Sequence, residues 1–141
     1  MDRFEKTVAL ALADGSRTAL DLNMEEVEKE GRTIYEVAAP YKGRTMSGMS
    51  DRGYFDALRK VRISLEQEGA LLHCFGASED VYPSPMRESM GPVLEAYCVR
   101  LGQQARSSDL VDIFDSDPTV RPATVEQQEL FHQKWLAGLG T

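Results

Sequence analysis

Two cysteines, two histidines and a run of four aspartates are the residues of this 141-residue chain whose types could act on a substrate or hold an ion. A thiol becomes a nucleophile only with a base in hydrogen-bond reach and some positive charge nearby. Cys74 has His73 beside it, but neighbouring side chains on a strand point to opposite faces. His132 sits far along the chain, next to Phe131 on a later apolar stripe. Cys74 and Cys98 both lie in apolar runs, LLHCFG and LEAYCVRLG, which reads as two buried free thiols. The histidines stand 59 residues apart with no Cys-x-x-Cys or His-x-x-x-His spacing, so they suggest no metal ligand set. Asp109, Asp112, Asp115 and Asp117 in DLVDIFDSD could offer carboxylate oxygens to Mg²⁺ or Ca²⁺. The run lacks the glycine and the bidentate glutamate of a calcium loop, and an acidic edge strand that resists aggregation explains it equally well. No catalytic residue, cofactor or metal is assigned from these patterns.

The stretch GASEDVYPSPMRESMG, residues 76–91, is the least regular part of the chain. Ser84 followed by Pro85 is a helix start, with serine as the cap and proline in the first turn. Free N–H groups there, with Arg87 in the same turn, would accept an anion, although Pro85 removes one donor. Tyr82, Met86 and Met90, with Met46 and Met49, are adaptable side chains of the kind found at interfaces. The alternative is that Met86 and Met90, four residues apart, pack a short helix onto a sheet. A docking role requires that alanine at Tyr82 or Met86 weaken binding while the fold survives.

The flanking elements set where these residues stand. KTVALALA (6–13) and TALDLNM (18–24) alternate around the turn DGSR, and TIYEVAAP (33–40) follows an acidic tip near Gly31, so the start reads as an antiparallel meander. YKGRTMSGMS (41–50) reads as a loop. Phe55, Leu58, Val61 and Leu65 recur at helical spacing, with Arg52, Arg59, Lys60 and Arg62 as a basic face; Ser50 or Asp51 caps the start and Gly69 the end. ALLHCFGA (70–77) reads as a central strand. PVLEAYCVRLG (92–102) and DLVDIFDSD (109–117) supply two more strands, PTVRPA (118–123) a linker, and Thr124 with Gln127 a capping box for a last helix carrying Phe131, Trp135 and Leu139 on one side. The expectation is a single α+β domain over residues 1–141: an antiparallel or mixed sheet of about six strands, two main helices and one short helix.

Charge narrows the partners. The net charge of −7 lacks the basic stripe of a nucleic-acid binder. No apolar run approaches the roughly 20 residues that span a bilayer, and MDRFEKTVALALADG makes a poor signal peptide, so the expected setting is the cytoplasm without membrane contact. Residues 21–36 hold six acids against two bases and residues 101–141 six against three, while the basic excess lies in residues 37–66. Such asymmetry orients a charged partner.

The segments CFGASEDVYPSPMRESMG, EAYCVRLGQQARSSDLVDIFD and ATVEQQELFHQKWL, within about residues 70–137, resemble a family of small uncharacterised bacterial proteins. Its pattern runs Gly-Ala-Ser, Val-Tyr-Pro-Ser, Met, Met-Gly, Ala-Tyr and Asp-Leu-Val-Asp-Ile-Phe. The chain departs from it at Pro85, where glycine is expected, and at MGPVLEAY, where a glycine-rich link is expected. Such proteins are similar to those encoded beside secreted polymorphic toxins, where they act as immunity proteins. The resemblance implies binding to a protein, a basic toxin domain, and brings no catalytic residues. Partner contacts are assigned to Tyr82, Ser84, Met86, Arg87 and Met90 at the irregular corner and to Glu25, Glu26, Glu28, Asp112 and Asp115. A hydrolase or transferase using Cys74 or the Asp109–Asp117 carboxylates is the alternative, and a homo-oligomeric scaffold joined at sheet edges is a third; monomer and homodimer both stay open.

Overall fold

A computed structural model describes residues 2–88 and 91–139. The chain is α+β with two main helices and one short one, as expected, but the strands among the described residues number eight and divide between two antiparallel sheets. Four long strands lead: β1 (Arg3–Ala11), β2 (Arg17–Lys29), β3 (Arg32–Tyr41) and β4 (Arg44–Ser50). Leu20, Leu22 and Met24 of β2 and Tyr35, Val37 and Ala39 of β3 enter the core on one face, which is the alternation visible in the sequence. The expected loop over residues 41–50 is instead strand β4. Lys42 and Gly43, at φ 51° and 76°, form a two-residue hairpin turn that matches strand twist, and they leave residues 44–50 free to pair with β3. The second glycine of that stretch has a packing role: a Cβ on Gly48 would stand 2.3 Å from the Ala57 carbonyl oxygen, so only glycine lets the following helix lie so close.

That helix, α1 (Tyr54–Glu66), buries Tyr54, Phe55, Ala57, Leu58, Val61 and Leu65 against the inner face of the sheet. Neither expected side chain caps it, since Gly53 holds the cap position; the Ser50 hydroxyl accepts from the Arg52 N–H and donates to Asp56 instead. Strand β5 (Leu71–His73) was expected at the centre of the sheet but closes its edge, the order being β4-β3-β2-β1-β5. Its apolar character comes from the chain folding back over it: Leu72 and Cys74 are buried, and the Phe75 and Gly76 N–H groups donate to the carbonyls of Asp115 and Ile113.

The second sheet is small: β6 (Val81–Tyr82), β7 (Glu95–Cys98) and β8 (Leu110–Asp112) in the order β6-β7-β8. DLVDIFDSD forms a strand only over its first half, because Asp112 and Asp117 turn the backbone by accepting N–H bonds from Phe114 and Thr119. Helix α2 (Pro85–Glu88) starts at Ser84 as expected, the serine hydroxyl accepting from Arg87 N–H at 3.2 Å. Helix α3 (Val125–Leu139) opens on the expected capping box, with Thr124 and Gln127 exchanging both hydrogen bonds. No helix among the described residues is long and apolar enough to cross a membrane.

Candidate functional site

The irregular corner is built on Tyr82 and is more deeply packed than its composition suggests. Tyr82, which reads as exposed, is half-buried: its ring meets Phe55 edge-on at 5.3 Å and stacks on His132 at 3.8 Å. Its hydroxyl donates to Glu129 at 2.7 Å and accepts from Arg59 at 3.4 Å, and Arg59 and Glu129 form an ion pair at 3.6 Å. Burial first, then the bond to Glu129, pushes the phenol up to about 12. Beyond Tyr82 the corner turns outward. Met86 is 71% exposed, while Arg87 reaches Glu95 at 3.3 Å and lies over the Tyr97 ring. Met90 lies outside the described residues. Of the other two methionines, Met46 is buried in the core and Met49 is exposed.

The acidic candidates sit on the sheets. Glu25 faces Glu36 directly across β2 and β3, with Arg3 at 3.9 Å as a distant counter-charge. Glu26 stands opposite Tyr35, and Glu28 opposite Thr33, whose hydroxyl donates to it. In the small sheet Asp112 faces Glu95 across β7 and β8. Asp115 pairs with Lys6 of β1 at 2.7 Å, which raises the lysine pKa through that hydrogen bond and the carboxylate charge. Two exposed ion pairs then link the β2–β3 tip to the corner: Arg32 with Asp51, and Arg52 with Glu88. Segments 25–36 and 84–95, distant in sequence, are thereby tied through the start of α1.

The groups that could carry catalysis are engaged elsewhere. Cys74 is fully buried, and burial lifts its thiol to about 11, far from a nucleophilic thiolate. His73 places Nδ1 2.8 Å from the Ser116 hydroxyl, and His132 belongs to the Tyr82 stack. Cys98 is likewise pushed up to about 11 by burial and by Asp80, which its sulfur meets at 3.5 Å. Asp109 accepts from the Arg106 N–H and Asp117 from Thr119, so both are occupied by local turns. No group of three or more potential metal ligands occurs among the described residues.

Two residues of structural weight escape the sequence reading. Arg62, placed on the basic face, is 2% exposed; it donates to Gln128 Oε1 at 2.6 Å and to the carbonyls of Gly76 and Ala123. Burial lowers its pKa to about 10, which leaves it charged at neutral pH. Gln128 in turn donates to the carbonyls of Gly76, Ser78 and Val81. The signal was present in the spacing: Arg62 falls four residues after Leu58 and three before Leu65, on the apolar stripe itself. No family model matches the chain, and no curated protein matches it.

Proposed function

We propose that the chain is a protein-binding module, an immunity protein that binds and neutralises a bacterial toxin through a basic surface of that toxin. The observation that carries this reading is the pair of acids set directly opposite one another in both sheets, Glu25 with Glu36 and Glu95 with Asp112. Like charges in facing strand positions destabilise a sheet by a few tenths of a kcal/mol or more. Glu95 has Arg87 at 3.3 Å, while Glu25 has the outlying Arg3 at 3.9 Å. A fold that keeps such pairs on its surface sustains a strong local negative potential, which speeds encounter with a basic partner and fixes its orientation.

In this reading Glu25, Glu26, Glu28, Asp112 and Asp115 present the field, and Ser84, Met86 and Arg87 shape the adjoining corner. Tyr82 supports that corner from beneath. The motif likeness to immunity proteins over about residues 70–137 points the same way. Neutralisation needs a stable fold with a complementary surface and no activated nucleophile. It would take place in the cytoplasm, without nucleic acid or membrane.

The experiment is capture on the tagged protein from native host lysate at low and high salt, followed by co-expression of the captured protein. One stoichiometric basic protein, released by salt and toxic unless this chain is co-expressed, is the expected result. A clean preparation, or a partner whose toxicity is unrelieved, contradicts the proposal.

A further inference from the structure

The groove between α3 and the Tyr82–Pro85 strap holds a histidine in surroundings suited to its neutral form. It has a volume of about 380 Å³ and is lined by Tyr82, Pro83, Pro85, Tyr97 and Trp135 around His132. The imidazole lies within 6° of parallel to the Tyr82 ring, and Trp135 stands 5.8 Å away. His132 Nδ1 is buried and has no hydrogen-bond partner among the described residues. A neutral ring with its proton on Nε2 tolerates that arrangement, since a buried lone pair without a donor costs far less than a buried cationic N–H without an acceptor.

The Tyr82 face itself attracts a cation, while the charged groups beyond it are engaged with one another. Tyr82 from β6 and Tyr97 from β7 present phenols to the groove. Arg59 of α1, against the Tyr82 hydroxyl, adds positive charge. Glu129, three residues earlier on α3, has Oε2 already accepting from Tyr82 and paired with Arg59. Glu88 of α2 is engaged by Arg52. Burial accordingly holds the His132 pKa below its ordinary 6.5, with Glu129 opposing the shift.

We propose that His132 is a proton-operated latch. Protonation leaves a buried Nδ1–H with no acceptor, at a cost that outweighs the attraction of the Tyr82 face for a cation, and the end of α3 carrying Trp135 lifts from the strap and opens the groove. The sign follows from linkage: the opened ring binds a proton more readily than the stacked one. The latch is therefore closed above pH 6.5 and weakens as pH falls below that value.

Trp135 is the only tryptophan, so its fluorescence reports on this groove. Acrylamide quenching is followed from about pH 8 to about pH 5 in the native protein, in His132→Phe and in His132→Asn, alongside the histidine Cε1–H resonances of the native protein. Quenching of Trp135 rises by about two-fold with a midpoint below 6.5 and in step with the His132 resonance, and both variants lose the transition. A ring that titrates without any change in quenching overturns the latch. So does a midpoint at or above 6.5, or a transition that survives in either variant. The native-protein titration decides the matter even if both variants misfold.

Discussion

In residues 3–73 long strands send alternate side chains into one core, whereas among the described residues of 74–139 no strand exceeds four residues, and polar contacts and stacked rings join buried side chains such as Val81, Ala96, Ile113 and Phe114 in keeping the shape. The first region needs little beyond its apolar pattern: Leu10, Leu22, Met24 and Val37 are fully buried beneath α1. The second is pinned by Arg62, which projects from α1 and holds Gly76, Ala123 and Gln128 of α3, and by Gln128, which holds Ser78 and Val81 in turn. A tolerant hydrophobic layer thus carries an assembly in which Arg62 and Gln128 donate to defined backbone carbonyls. The difference teaches that the candidate surface depends on one buried cation more than on its own short strands.

The largest effect should come from removing that cation. Arg62→Ala strands the Ala123 carbonyl and Gln128 Oε1 in a dry interior and opens a cavity, so urea unfolding should report a loss of about 3–5 kcal/mol. Gln128→Ala should cost less, and the double variant should fall short of the sum because the two side chains share acceptors. Leu22→Ala in the first region should cost about 3 kcal/mol by cavity formation, without the coupling expected at Arg62. Tyr82→Ala should lose about 2–3 kcal/mol, since its ring joins Phe55 to His132, while Tyr82→Phe loses about 1 kcal/mol with the bond to Glu129. A Tyr82→Ala protein as stable as the parent would return that residue to the surface. Cys74 should resist alkylation at neutral pH until urea unfolds the chain, because burial keeps it as the thiol.

The meander, both main helices, the Ser84 start and the Thr124–Gln127 box could be read from alternation, helical spacing and caps. Those signals are local, and the structure keeps them. Strand β4 was hidden because Gly43 and Gly48 look like loop residues, when one makes a hairpin turn and the other admits a helix. The edge position of β5 depends on which distant segment covers it, which composition does not encode. Burial of Arg62 is encoded in its place on the apolar stripe, against what its charged type suggests. The facing acids could not be found without register: Glu25 meets Glu36, and Glu95 meets Asp112, only once the strands are paired.

The most direct test of the binding reading neutralises one facing pair and follows stability and binding together. In Glu25→Gln/Glu36→Gln the melting temperature should stay level or rise slightly, because a cross-strand repulsion is relieved. Affinity for the captured partner should fall, and its dependence on salt should become shallower. Unchanged affinity with an unchanged salt slope would contradict the claim that these acids form the docking surface. A lower melting temperature would mean that the pair serves the fold.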